Sequence, residues 1–245
     1  MSTLPSVCIL CPTFARVSLL AELVECFRRQ TYAGPKRLVI LNDYGLQDIR
    51  CDVPGVVIYN YGGRYTTLGA KRSALLEFAF ETFVQWWDDD DIFLPHHLDA
   101  SMARITDEPA TRVPFEYAET ADGGYEVVHA GGVRGITFRA DSLRQIGIPL
   151  VDRGHWNILI PNLVKRWCWF HGAHHSQATC PPSIIQRIHH GYPRQSTHSR
   201  DAITAAAAGR VHATTDPTGT INLQPAWAKD YVETVRNVAR PEGMG

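Results

Sequence analysis

Four consecutive aspartates, Asp88–Asp91, hold more chemistry per residue than any other stretch of the 245-residue chain. Two carboxylates about 4 Å apart repel by about 1 kcal/mol even at the dielectric of water, and by more beside an apolar wall. Charge runs are usually solvated surface. This one is preceded by Val84-Gln85-Trp86-Trp87 and followed by Ile92-Phe93-Leu94-Pro95, so a buried strand and a packed turn pin it at both ends. A divalent cation would relieve the repulsion, and ligands that offer only oxygen favour Mg²⁺ or Mn²⁺. Lys71 and Arg72 could clamp an anion through charge-assisted hydrogen bonds, or lie on an exposed helix face; both readings stand. The pair His189-His190 offers imidazole ligands. His171, His174 and His175 have no cysteine or acid at zinc-ligand spacing and read as loop residues.

The elements that must position these groups alternate in type over the first hundred residues. Apolar runs at 7–12, 37–41, 55–60 and 83–87 read as buried strands. Between them, Leu19, Leu20, Leu23, Val24 and Phe27 share one helical face. Thr67 is placed to cap a helix running to about Phe80, with Ala70, Ala74, Leu75 and Phe78 inward. Pro95 starts a third helix. Strands separated by amphipathic helices predict a doubly wound, mainly parallel α/β sheet. Ligands of such sheets bind beyond the carboxyl ends of the strands. Pro12-Thr13-Phe14, Asn42-Asp43 and Asp88–Asp91 all fall on that edge.

After about residue 110 the pattern becomes mixed α+β. Asp122-Gly123-Gly124 joins two strands as a hairpin. Residues 133–140 and 183–188 read as further strands, 141–146 as a short helix, and 204–209 and 216–220 as flexible connections. Residues 226–240 read as a C-terminal helix with Trp227, Tyr231, Val235 and Val238 along one side. This divides the chain into 1–110, an α/β half; 111–200, a continuation of the same domain; and 201–245, an extension with the helix.

The formal net charge of −1 hides an asymmetry. Residues 1–150 carry 14 basic and 19 acidic side chains, whereas 151–245 carry 10 and 6 together with eight of the 11 histidines. The overall balance excludes a surface built wholly for nucleic acid. The N-terminus has no basic leader and no apolar cleavable run, and no stretch approaches the ~18–20 apolar residues that span a bilayer. Cys8 and Cys11, three apart in a strand, should face opposite sides of it and share neither metal nor disulfide. These features predict a soluble, reduced, cytoplasmic protein without a membrane span.

The ordered runs CPTFAR, LNDYG, LGAKRSALL and WWDDDDIFLPHHL resemble the motif set of family 2 glycosyltransferases over about residues 6–100. The resemblance implies a GT-A nucleotide-sugar fold, a nucleotide-diphosphate sugar donor, Mn²⁺ or Mg²⁺, and sugar transfer of inverting type. It implies that Pro12, Thr13, Phe14 and Arg16 line the nucleobase and ribose, and that Asp43 reads the base edge beside Asn42, which replaces an acid. Lys71 and Arg72 fall near base or diphosphate, with Ser73 in place of an amide. Asp90 is implied as principal metal ligand, Asp88 as first acid of the run and Asp89 as facing the ribose. Asp91 has no assigned part. The segment Arg187-Ile188-His189-His190 resembles a closing loop in which a histidine, His190 before His189, completes the metal shell.

An acceptor hydroxyl needs a base. The family's Glu-Asp pair is absent here, which leaves Asp152 as the nearest carboxylate and His155 as its substitute. A non-catalytic nucleotide-sugar-binding protein is therefore an alternative. A nucleotidyltransferase is a lesser one, because CPTFAR lacks a glycine-rich phosphate loop. The acceptor is open, a modified nucleic-acid base included. Arg187, Arg194 and Arg200 read as a basic patch suited to an anionic acceptor.

Overall fold

The computed structural model describes residues 4–103, 105, 110–130, 133–150, 176–177, 181–187, 213–217 and 219–238. Its first half runs β1 (Val7–Thr13), α1 (Val17–Arg28), β2 (Lys36–Asn42), β3 (Ile49–Arg50), β4 (Val56–Asn60), α2 (Leu68–Glu77), β5 (Phe83–Trp86), β6 (Ile92–Phe93) and α3 (His97–Met102). The remainder is β7 (Ala110–Arg112), β8 (Phe115–Glu119), β9 (Tyr125–His129), β10 (Ile136–Arg139), α4 (Ala140–Ile146), β11 (Ser176–Gln177), β12 (Ile184–Gln186), β13 (Ala213–Thr215), β14 (Ile221–Leu223) and α5 (Tyr231–Val235).

A seven-stranded sheet in the order β11-β7-β10-β5-β1-β2-β4 forms the centre. Its β5, β1, β2 and β4 are mutually parallel, and β10 enters antiparallel between β5 and β7. Smaller sheets, β6-β12-β8-β9 and β13-β14-β3, flank it. The fold is α/β with a mainly parallel central sheet, as the sequence pattern predicts.

Period-two alternation explains the layers. Val7, Ile9 and Cys11 of β1 join a core with Leu20, Leu23, Val24 and Phe27 of α1, while Cys8 and Leu10 join the opposite core with Leu75 and Leu76 of α2 and Leu143 of α4. Cys8 and Cys11 thus lie on opposite faces, both as free thiols. Thr67 caps α2, its side chain accepting from the Ala70 amide at 3.0 Å.

Several expectations needed correction. Helix α2 ends at Glu77, not near Phe80, and Gly69, Lys71, Arg72, Leu75 and Leu76 are its buried positions while Ala70 and Ala74 are only half-buried. Residues 216–220 are not a loose connection. They are the turn of the β13–β14 hairpin, closed by Asp216 accepting from the Thr220 amide. The C-terminal helix is one turn and a half, capped by Asp230. Trp227 lies before it and Val238 after it, yet all four expected residues pack on the α1-side core. No helix among the described residues is long and apolar enough to cross a membrane.

Beneath the end of β5 lies a buried polar chain. The Trp87 indole can only donate, so the Gln85 oxygen that it meets at 2.8 Å is an acceptor. The same oxygen faces His97 Nε2 at 3.1 Å, which puts the imidazole proton on Nε2 and leaves Nδ1 to accept from Ser183 Oγ at 2.9 Å. Gln85 Nε2 donates to Thr137 Oγ1 at 2.6 Å, and Trp87 stacks on Phe93 with centroids 4.0 Å apart. Strand β5, α3, β10 and β12 are thereby fastened together one residue before the acid run begins. Burial pushes the His97 pKa down to about 3, with neighbouring His96 adding to it. The unfolded chain takes up a proton near pH 6.5 that the folded chain refuses until about pH 3. Stability from this site is therefore full above 6.5 and is lost as pH falls toward 3, by up to about 1.4 kcal/mol per pH unit. Urea unfolding of His97→Gln between pH 7 and 5 should show a shallower loss than wild type. Parallel curves would contradict the assignment.

Candidate functional site

Parallel pairing sets Thr13 opposite Asn42 at the carboxyl ends of β1 and β2, and Leu10 opposite Trp86 on β5. Three adjacent strands thus deliver Pro12-Thr13-Phe14, Asn42-Asp43 and Asp88–Asp91 to one edge. The turn after β1 carries Ala15 at φ 57°, the only positive-φ residue other than glycine among the described residues. A left-handed alanine costs roughly 1–2 kcal/mol. It stands between Phe14, whose ring meets Tyr44 edge-on with centroids 5.1 Å apart, and Arg16, which reaches the acid run. The Arg64 guanidinium lies over the Phe14 ring, 4.4 Å from its centroid.

The repulsion among the four aspartates is met here by arginines from four different segments. Arg16 Nη1 donates to Asp89 Oδ1 at 3.0 Å and to Asp90 Oδ2 at 2.8 Å. Arg72 Nη2 donates to Asp88 Oδ1 at 2.7 Å. Arg134 lies 3.4 Å from Asp91 and 3.1 Å from Glu116. Arg187 Nε donates to the Asp90 carbonyl at 2.6 Å. Thr13 Oγ1 adds a 2.6 Å hydrogen bond to Asp89. Burial pushes the Asp89 and Asp91 carboxyls above the usual range, with Arg16 pulling the first back and Arg134 the second.

The run is a turn beyond β5, closed by Asp91 N donating to Asp88 O at 3.3 Å, and burial alternates along it. Asp88 and Asp90 have side chains 30% and 24% exposed, whereas those of Asp89 and Asp91 are 0% and 4%. Two hard oxygen donors two residues apart and open to solvent fit Mg²⁺ or Mn²⁺, which keep waters and phosphate oxygens in their remaining positions. Among the described residues no group of three or more His, Cys, Asp or Glu is arranged to hold a metal ion. His190, His189, Asp152 and His155 lie outside the described residues, as do His171, His174 and His175.

Lys71 and Arg72 are buried, which removes the exposed-face reading. The Lys71 ammonium donates to Asp43 Oδ1 and to the Thr13 carbonyl, and Asp43 Oδ2 accepts from the Tyr65 amide at 3.1 Å. Burial lowers the Lys71 pKa, and Asp43 opposes that shift. Both oxygens of Asp43 are engaged within the protein, and the pair ties β1, β2 and α2 together. Asn42 has a similar part: its Oδ1 accepts from the Tyr44 amide and its Nδ2 donates to Gln47 O and Asn60 Oδ1. An Asn in place of an acid is explained by this need for donors.

Sequence reasoning missed Glu22, Glu116 and Arg134. Glu22 carried a partial signal, an acid among Leu20, Ala21, Leu23 and Val24 of α1, a helix that also buries Glu25. Arg187 was expected on a basic surface patch. It is instead enclosed by Glu22 and the Asp90 carbonyl, so it contributes no surface charge for an anionic acceptor; Arg194 and Arg200 lie outside the described residues.

Breaking a buried ion pair strands one charge and costs about 3–5 kcal/mol. Lys71→Met should therefore destabilise the fold by about that much in urea unfolding, because Asp43 has no access to water. Arg72→Met leaves Asp88 partly solvated and should cost distinctly less. Equal losses would mean that the Lys71–Asp43 pair is no more structural than the rim.

No family model matches the chain, and no curated protein matches it. Solved structures do. S. aureus TarS 1–349 superposes with a TM-score of 0.57 at 14% identity, over 74% of this chain and 60% of that one. Its complex with UDP-GlcNAc gives 0.59 at 12% identity, over 84% and 62%. A structure described simply as S. aureus TarS is covered over 37% of its length. The chain thus spans less than two thirds of the TarS structures it matches, and at these identities what the two share is the GT-A-like fold of a glycosyltransferase.

Proposed function

We propose that the chain is a glycosyltransferase that moves a sugar from a nucleotide-diphosphate donor to an acceptor hydroxyl with inversion. The observation that carries this is the convergence, at the carboxyl ends of β5, β1 and β2, of an aromatic pair with two solvent-reaching aspartates backed by Arg16 and Arg72. The TarS neighbours, one bound to UDP and one to UDP-GlcNAc, support a donor of this class.

In this reading the nucleobase lies against the half-buried Tyr44, which the buried Phe14 backs edge-on and Arg64 caps over the Phe14 ring. Ring-on-base contact at such a platform contributes about 1–3 kcal/mol. Asp88 and Asp90 would hold Mg²⁺ or Mn²⁺, and the ion would neutralise the charge that gathers on the diphosphate as the anomeric bond breaks. Arg72 stands where its guanidinium can leave Asp88 for a phosphate oxygen. Arg16 holds Asp89 and Asp90 in register, so the carboxylate pair is preorganised. Asp152 or His155 would take the acceptor proton, and His190 would be a further ligand to the ion.

The test is thermal shift with UDP, UDP-GlcNAc and other nucleotide sugars, each with and without MnCl₂, since binding to the folded state raises Tm by mass action. At least one nucleotide should stabilise wild type in a Mn²⁺-dependent manner. Asp90→Ala should lose ten-fold or more of that affinity, about 1.4 kcal/mol, together with donor turnover. Unchanged Mn²⁺-dependent binding in Asp90→Ala would exclude the metal assignment. Full turnover in Asp152→Asn would move the base to His155.

A further inference from the structure

Arg187 and Glu22 form a buried pair that the transfer chemistry does not use. Glu22 sits in the middle of α1 and is 5% exposed. One of its oxygens pairs with Arg187 Nη1. The other accepts from the Ala228 amide at 2.9 Å and from Tyr231 Oη at 2.8 Å. Burial by itself would raise the Glu22 pKa, but Arg187, the Ala228 amide and the Tyr231 hydroxyl bring it below the usual range, so the carboxylate is charged. On its other side Arg187 donates Nε to the Asp90 carbonyl. The segment carrying Ala228 and Tyr231 is further held to α1 by Trp227, whose Nε1 donates to Cys26 Sγ at 3.2 Å and whose ring lies under Arg29 at 4.2 Å.

This is a continuous chain of contacts from the C-terminal segment to the backbone of the acid run. It adds to the backbone bonds that hold the ends of the run, where β6 pairs with β12. Trp87 N bonds to Leu10 O at 3.1 Å, and Asp91 N bonds to Asp88 O at 3.3 Å within the run itself. A guanidinium fixed by a carboxylate is a stiff donor, since its planar fork holds both partners in one geometry. The Glu22 carboxylate has one oxygen for each side, so its rotation is set by the C-terminal contacts and in turn sets where Arg187 can aim.

We infer that Glu22 and Arg187 are positioning residues through which the docked C-terminal segment, at Ala228 and Tyr231, holds the Asp90 backbone in place. The functional consequence rests on the nucleotide-sugar reading, but the mechanical one does not. Without the pair, the acid run opens locally while the parallel sheet stays closed, a separation that amide exchange resolves.

The experiment compares full-length wild type, Glu22→Gln/Arg187→Met and Tyr231→Phe by hydrogen–deuterium exchange, with Arg236→Ala as control. Arg236 pairs with Glu233 on the exposed side of the same segment. The double substitution removes both buried charges together, and Gln still accepts from Ala228 and Tyr231, so the fold is retained; circular dichroism and Tm verify this. Exchange in residues 86–94 should rise at least five-fold in the double variant and about two-fold in Tyr231→Phe. Exchange in β1 and in the Arg236→Ala protein should match wild type. Where wild type binds UDP with MnCl₂, the double variant should bind at least ten-fold more weakly, with Arg187→Lys recovering part of the loss. A folded double variant with unchanged exchange at 86–94 would overturn the inference, as would a rise spread evenly over β1 and β2. Wild type failing to bind any nucleotide would defeat the proposed function and leave the exchange result to decide this one.

Discussion

Much of this structure follows from the need to place four neighbouring negative charges at the end of a buried strand. A carboxylate removed from water costs several kcal/mol unless a countercharge and hydrogen bonds accompany it. The chain supplies Arg16 from the turn after β1, Arg72 from α2, Arg134 from the turn before β10 and Arg187 from the end of β12. Each of these segments is constrained by where its guanidinium must end. The left-handed Ala15, the burial of an Arg on α2, and the closeness of β12 to the acid run are intelligible as consequences. The site is therefore not placed upon a finished fold. It is one of the reasons that the two halves of the fold meet.

The sheet edge was legible from sequence because the signals there are local. A run such as VCILCP can be buried on both faces only as a central strand, and its polar exit must lie at the carboxyl end. The separation of Cys8 from Cys11 follows from the same periodicity. The countercharges were not legible, because an arginine's partner is a tertiary fact. Arg187 lies 97 residues from Asp90 and 165 from Glu22, and no local pattern distinguishes its buried guanidinium from one on a basic surface. The short strands β3, β6, β13 and β14 were missed for a related reason. Two or three residues carry no periodicity, and only their partners make them strands.

Lys71 and Asp43 illustrate a subtler limit. A resemblance of motifs conveys residue type and order, whereas a role depends on what else competes for the side chain. Here the competitor is a buried ammonium on the next helix, with the Tyr65 amide taking the second oxygen. Asn42, whose amide fills a loop that an acid could not, fits the same arrangement. The edge that would otherwise read a base is thus occupied by the protein's own scaffold. Under the proposed function, contact with a base would then come through its face, at Tyr44 beside Phe14.

The charges also bear on where a cation would sit. Around the acid run, the described contacts bring together six carboxylates, Asp88–Asp91, Glu22 and Glu116, and four guanidinium groups. Glu22 and Glu116 are spent against Arg187 and Arg134, and Asp89 is held by Arg16 and Thr13. Six carboxylates against four guanidinium groups leave a deficit, and Asp88 and Asp90 are the two members of the run that solvent reaches. A divalent ion has the charge to fill that deficit, yet Arg16 and Arg72 already touch the same two side chains and would repel it. Under the proposed function a diphosphate would resolve the conflict, because its oxygens could take the arginines while the carboxylates take the ion, and cation and nucleotide would then bind cooperatively.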